Sequence, residues 1–399
     1  MKILVLNAGS SSLKYTVYEG FNLNMLAKGV VEKIGDSGGQ ISHKYQNKDV
    51  TKEISLEQDV PDHYQALQII VNLLTSKDHG VLDNISEIDA IGHRVVHGGE
   101  YFSAPRLIDE DLKGKVEELI PLAPLHNPPN LMGIKVSEEI FPDAKQVAVF
   151  DTAFHQTIPL YASRYAIPEK LYSDYGIRVY GMHGTSHRYI TGMAARHLDK
   201  EVKNVNLITI HLGNGCSISA VQQGKCIDTS MGFSPLPGLV MGTRSGDIDP
   251  SIIFHLIREH GYSSEEVESL LNKESGLKGL TGLTDLRDIH DKIVKGDKGA
   301  QLALDIYCYR IKKYIGAYLA ATGPLDAIVF TAGVGENDGS VRKKSLEGLD
   351  HLGIQLDITE NDRVIPGIRE IQHSESRVKI LVVPTDEEKQ IALSTLKFL

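Results

Sequence analysis

Short apolar runs, continuous rather than alternating, punctuate this chain at residues 2–6, 90–93, 147–150, 207–211, 327–330 and 379–383. Such runs suit strands buried on both faces of a sheet. Segments of helical period lie between them, most clearly 64–74, 131–140, 301–321 and 387–396. Strands alternating with helices predict an α/β architecture. The polar stretch 22–53, rich in Gly and Lys, reads as peripheral strands and turns.

Two segments repeat one pattern. ILVLNAGSSSLKYTVYEG begins at Ile3 and LITIHLGNGCSISAVQQG at Leu207. Each has an apolar strand, a polar Gly-containing turn and a second apolar strand ending at Gly. The match predicts a duplicated domain, with one turn of each copy facing a shared cleft. The expected division is 1–151 with the C-terminal helix 388–399, and 152–387.

Composition narrows the class. A chain of 399 residues favours two domains. Net charge is −10, and no Lys/Arg-rich run offers a basic face for nucleic acid. The three cysteines, Cys216, Cys226 and Cys308, form no CxxC pair, which suits a reducing compartment. No apolar stretch approaches the roughly 18 residues of a membrane span. The run after Lys2 is too short for a signal peptide. A cytoplasmic protein without membrane partners is expected.

An acidic protein that handles anions must place its cations locally, so the glycine turns matter. Asn7-Ala8-Gly9-Ser10-Ser11-Ser12-Leu13-Lys14 follows a predicted strand. Gly9 permits a tight turn, Ser10 and Ser12 let the backbone approach a phosphate, and Lys14 adds a point charge. Read alone, it is equally a serine-rich hairpin. His211-Leu212-Gly213-Asn214-Gly215 is the equivalent turn of the second copy, and Asn-Gly is also a hairpin signal. Thr331-Ala332-Gly333-Val334-Gly335-Glu336-Asn337 ends a third strand. Ligands in open α/β sheets bind at such strand ends. No GxxxxGK[ST], complete GxGxxG or protein-kinase motif is present.

Two arginines stand beside glycines: Arg94 in GHRVVHGG and Arg244 in MGTRSGD. Each offers a planar donor fork to an anion, or a structural ion pair. His183 and His187 are four apart in GMHGTSH, without a matching third metal ligand. Thr185 or Ser186 is expected to cap the helix that follows. Asp151 closes a strand, where a carboxylate can coordinate Mg²⁺ or orient a substrate. Glu387 stands in PTDEE, where acidic residues also favour a helix N-terminus.

Together these segments resemble the acetokinase family. The shared motifs are LNAGSSSLK, GHRVVHGG, PLAPLHNP, FDTAFH, HGTSH, HLGNG, DTSMGFSPLPGLVMGTRSGDIDP, DLRDI, TAGVGEN and VPTDEE, spread over nearly the whole chain. The resemblance implies two duplicated actin-like (ribonuclease H-like) domains around a cleft, a homodimer, and reversible Mg²⁺-dependent transfer from ATP to acetate, giving acetyl phosphate and ADP. Mn²⁺ is expected to substitute. By motif, Asn7 and Glu387 resemble the metal-site residues, and Lys14, with Ser10 and Ser12, the ATP contacts of the first turn. Arg94 resembles the carboxylate holder and Asp151 the essential carboxylate. His183 and Arg244 resemble the transition-state stabilisers, with His126 nearby. His211, Leu212, Gly213, Asn214 and Gly215, then Asp285, Leu286 and Arg287, then Gly333, Val334, Gly335, Glu336 and Asn337 resemble the nucleotide site. Val96, Leu125 and Pro235 match the methyl pocket. Met182 stands where family members commonly carry Phe. The rival readings are a propionate or other short-chain acyl kinase and a non-catalytic actin-like nucleotide-binding module.

Overall fold

The structure, a computed structural model, describes residues 1–47 and 50–399. The chain forms two compact units, Met1–Ala153 with Asp386–Leu399, and Phe154–Thr385.

The first unit holds one eight-stranded sheet. Its strands are β1 (Lys2–Ala8), β2 (Ser12–Glu19), β3 (Asn24–Glu32), β4 (Gln40–Asn47), β5 (Val50–Glu57), β6 (Ala90–Val95), β7 (Arg106–Leu107) and β8 (Lys145–Phe150), in the order β5-β4-β3-β2-β1-β6-β8-β7. β1, β2 and β3 form an antiparallel meander, β6 joins β1 in parallel, and β8 joins β6 in parallel. The second unit holds β9 (Leu207–Leu212), β10 (Cys216–Gln222), β11 (Lys225–Thr229), β12 (Ala327–Thr331), β13 (Arg369–Glu370) and β14 (Lys379–Val382), in the order β11-β10-β9-β12-β14-β13. Again three strands meander, and the fourth and fifth core strands, β12 and β14, add in parallel. Both units therefore share a five-strand core ordered third, second, first, fourth, fifth. The repeated sequence pattern is a repeated topology.

The continuous apolar runs have the expected cause. In β1, Leu4 and Leu6 pack on one face with Leu67 and Ile70 of the helix His63–Leu74. Ile3 and Val5 pack on the other with Ile391 and Ala392 of the helix Glu387–Thr395. Burying each such side chain contributes about 1.5–3 kcal/mol. The C-terminal helix can lie this close because of Gly92 in β6. A Cβ there would stand 2.7 Å from Ile391 Cγ2 and 2.4 Å from Thr395 Oγ1. In the second unit all six residues of β9 are buried, with the helix Gly184–His197 contributing Ile190 and Ala194 to the core beside Leu207.

Helix starts differ from the periodic reading. The helix Asn127–Ile140 begins four residues earlier than expected. Pro128 and Pro129 lie in its first turn, where their missing N–H groups cost nothing. The helix Lys298–Thr322 begins at its cap, since Asp297 accepts from the N–H groups of Gly299 and Ala300.

Candidate active site

Because β1, β6 and β8 run parallel, their C-terminal residues emerge along one edge of the first sheet. Asn7, Arg94 and Asp151 come together there. Arg94 donates from Nε and Nη2 to Asp151 Oδ2, the former at 2.9 Å, and from Nη1 to Asn7 Oδ1 at 3.4 Å. Asp151 is buried. A buried carboxylate is strongly unfavourable without a partner, so the pair fixes the guanidinium. Burial alone would lower the pKa of Arg94, but Asp151, Glu387 and Glu388 more than offset it and raise it. His93, one residue earlier, points to the opposite face and meets Gln146 Oε1 at 2.7 Å. Burial holds its pKa down at about 4.

Other residues complete this set. Lys14 on β2 pairs in register with Asn7 on β1. Ser10 is exposed at the turn, which the Gly9 N–H closes by donating to the Ser12 carbonyl at 2.8 Å. Asn130 ties two strand ends together, accepting from the Val96 N–H at 2.9 Å and donating to the Ala8 carbonyl at 2.7 Å. Glu387 opens the last helix, capped by Asp386, which accepts from the Lys389 N–H. Burial, aided by Asp151 and Glu388 and opposed by Arg94 and Lys14, pushes the Glu387 carboxyl up to about 7. A carboxyl so placed gains from a cation. Among the described residues no group of three or more His, Cys, Asp or Glu is arranged as a metal site. The oxygens of Asn7 and Glu387 still suit a hard cation that takes most of its ligands from water and phosphate. Leu125 and His126 are exposed just before the helix Asn127–Ile140.

The second unit gathers histidines and Arg244 around its own first turn. His183, at φ 56°, is the N-cap residue of the helix Gly184–His197. The expected caps are corrected here: Thr185 and Ser186 lie inside the helix, where Ser186 Oγ meets His211 Nδ1 at 2.9 Å and Thr385 Oγ1 at 2.8 Å. The His183 and His211 rings stack with centroids 4.3 Å apart. Gly215 is needed for this convergence. A Cβ there would lie 3.2 Å from Arg244 Nη2 and 3.3 Å from His183 Nε2. Arg244 donates to the Pro235 carbonyl at 2.7 Å, and burial lowers its pKa. Met182 is buried, and its carbonyl lies 2.9 Å from His155 Nε2.

Beside these groups opens a cavity of about 750 Å³. Its lining includes Gly213, Asn214, Asp285, Leu286, Arg287, Gly333, Val334 and Asn337, all expected from sequence. His211, Leu212, Gly215, Gly335 and Glu336 are not in its wall. Leu212 is buried, the Gly335 carbonyl accepts from Arg342 Nη1, and Glu336 Oε1 accepts from the Thr385 N–H. The glycine segment after β12 is not an open turn but a short helix, Ala332–Asn337. The reversal falls on Ala332, at φ 64°. Asp285 caps the helix Leu286–Val294, and its hydrogen bonds from Arg287 hold its carboxyl down at about 2. Sequence reasoning missed Gly242, Thr284, His290, Asp338 and Ser340 in the wall. Gly242 carried a visible signal beside Arg244, but its reason is tertiary: a Cβ would stand 2.7 Å from Asn214 Oδ1.

Solved structures place the chain in a class. It aligns with acetate kinase from Porphyromonas gingivalis at TM-score 0.95 and 45% identity, covering 99% of each chain. It aligns with a propionate kinase from Francisella tularensis at TM-score 0.91 and 42% identity, again over 99% of each. These are kinases of small carboxylates. The acetokinase family profile matches residues 2–393, and acetate kinase from Thermoanaerobacterium thermosaccharolyticum is 51% identical over 100% of this chain and 98% of its own. The chain belongs to the acetokinase family: it is a kinase with a carboxyl group as acceptor, acting on acetate and ATP with a divalent metal. No helix among the described residues is long and apolar enough to cross a membrane.

Proposed function

We propose that the enzyme transfers the γ-phosphoryl group of ATP directly, in line, to a carboxylate oxygen of acetate, with Mg²⁺ as the metal. The observation that carries this reading is the fixed Arg94 guanidinium, pinned by Asp151 and reaching Asn7. Acetate is already an anion, so no strong base is needed. What the reaction needs is positioning and neutralisation of charge.

Arg94 holds the acetate carboxylate against repulsion by the triphosphate, with Asp151 fixing its orientation. Val96, Leu125, Met182 and Pro235 contact the methyl group. Lys14, Ser10 and Ser12 contact the phosphates. The cavity of about 750 Å³ beside Gly213 and Asn214 receives the nucleotide. Arg244 and His183 neutralise charge on the equatorial oxygens of the migrating group, with His126 assisting. Asn7 and Glu387 hold the metal, which when bound supplies positive charge to the phosphate oxygens; Mn²⁺ can replace Mg²⁺. The unit Met1–Ala153 with Asp386–Leu399 holds acetate, and the unit Phe154–Thr385 holds the nucleotide.

The enzyme acts as a homodimer in the cytoplasm. The helix Ser251–His260 supports the first point: none of its residues is buried, and Ile252, Phe254 and Ile257 are exposed. The three buried, free cysteines support the second.

Propionate is a second acceptor, favoured by the 42% identity to a propionate kinase. One methylene is worth only about 1–3 kcal/mol of discrimination. Trapping acyl phosphates as hydroxamates from acetate, propionate and butyrate tests the reading. Rates should fall in that order, and Arg94→Ala should raise KM for all three. Equal rates with butyrate, or an unchanged KM, would sink it.

A further inference from the structure

A buried chain of hydroxyls and imidazoles runs from His183 into the core of the second unit. His183 Nδ1 lies 2.9 Å from Ser217 Oγ, and Ser217 Oγ lies 2.8 Å from His187 Nε2. His187 Nδ1 lies 2.8 Å from Thr209 Oγ1, whose hydroxyl reaches the Ser219 carbonyl at 3.4 Å. Ser217, His187 and Thr209 are fully buried. Burial, with His155 and His211 nearby, holds the pKa of His187 well below the usual value, so the ring stays neutral.

Such a chain has only two proton orders. Each hydroxyl carries one proton, and each neutral imidazole carries one N–H. A carbonyl can only accept. Thr209 therefore donates to Ser219 and accepts from His187 Nδ1–H. His187 Nε2 is then an acceptor, so Ser217 donates to it. Ser217 has no proton left for His183 and accepts from His183 Nδ1–H.

We propose that Ser217 is a positioning residue that holds His183 as the Nδ1–H tautomer, in a proton order set by the Ser219 carbonyl and relayed through Thr209 and His187. The proposal rests on the reading that His183 acts on the migrating phosphoryl group. Its value to that reaction is pre-organisation. The neutral ring and the imidazolium both donate Nδ1–H to Ser217. A proton can therefore join Nε2, the edge beside Gly215 and Arg244, without reversing any bond of the relay. In the opposite order the second proton would enter at Nδ1 and break the bond from Ser217. The αL backbone of His183 and the stack on His211 hold the ring in place for this arrangement.

Two-bond ¹H–¹⁵N correlation spectra of full-length protein with ¹⁵N-labelled histidine rings distinguish the tautomers. The His183 signals are assigned by their loss in His183→Gln. The expected wild-type pattern is Nδ1–H. Ser217→Ala should lose that pattern and lower kcat about 10- to 100-fold, with KM for ATP and acetate within about threefold, as when a partner orienting a functional histidine is removed. Ser217→Thr, which keeps the hydroxyl, should retain both the pattern and most of the rate. An Nε2–H pattern in the wild type overturns the proposal, as does an unchanged His183 pattern in a folded Ser217→Ala. If Ser217→Ala does not fold, the wild-type spectrum decides. Full turnover in His183→Gln, with a wild-type Nδ1–H pattern, would refute the catalytic reading of His183 while the tautomer assignment stands.

Discussion

The two units repeat one strand order and fill it with different chemistry. In the first, the turn after the leading strand closes by a bond from Gly9 N–H to the Ser12 carbonyl at 2.8 Å; in the second, by one from Gly213 N–H to the Gly215 carbonyl at 3.0 Å. Around the first stand the carboxylates of Asp151, Glu387 and Glu388 with the cations Arg94 and Lys14. Around the second stand Arg244 and two stacked imidazoles. The backbone decides where side chains emerge, and residue type then decides which charges each copy can hold. A mixed set suits a metal and a small carboxylate, whereas cations and imidazoles suit the charge of a migrating phosphoryl group.

The sharpest way to break this comparison is to remove each unit's arginine. Arg244→Ala should lower kcat about 10³-fold and leave the fold intact if Arg244 is the transition-state donor proposed above. Arg94→Ala should instead raise the acetate KM, and should cost about 3 kcal/mol of stability by taking the guanidinium donors away from the buried Asp151 carboxylate. Steady-state kinetics and urea midpoints separate the two. If both variants lose kcat alone, the division of labour is wrong.

Acid should weaken the protein through histidines. His93 and His97 of the first unit are held at about 4 by burial. Their folded pKa lies below the unfolded one, so between pH 6.5 and about 4 the unfolded chain binds more protons. Stability is complete above pH 6.5 and is lost as pH falls toward 4, by up to ~3 kcal/mol for each group. Denaturation midpoints at pH 7, 5.5 and 4.5 should show this decline, and His93→Gln should flatten it. His187 of the second unit works in the same direction.

The paired turns permit a smaller, cleaner contrast. Gly215→Ala places a methyl group against Arg244 and His183, so kcat should fall about 10-fold or more. Gly9→Ala meets only Ser12 Oγ closely, at 3.0 Å, and that flexible side chain can turn aside. Its effect should stay within about threefold. Smallest of all is Arg287→Ala. Its side chain is exposed and bonded to Asp285, and water screens such a pair, so ATP affinity should change by less than about twofold.

Much is legible in the sequence alone. The apolar runs located the core strands of both units, because strands covered on two faces need apolar residues at every position. The repeat of ILVLNAGSSSLKYTVYEG in LITIHLGNGCSISAVQQG exposed the duplication, because each copy must bury the same hairpin. The motifs carried the family, since glycines and arginines at fixed offsets leave a recognisable string.

What the sequence could not supply were relations between distant residues. Nothing in it says that Asn130 joins the ends of β1 and β6, or that Gly242 is small for the sake of Asn214. Thr185 and Ser186 looked like caps because local hydrogen bonding favours them there, yet stacking on His211 accompanies a left-handed His183 at that position. The chain by itself determined the elements, the duplication and the family, all of which follow from local pattern. Only the tertiary structure decided which groups meet: Asp151 with Arg94, and Ser217 between His183 and His187. Those contacts depend on strand order and register, which bring together residues far apart along the chain.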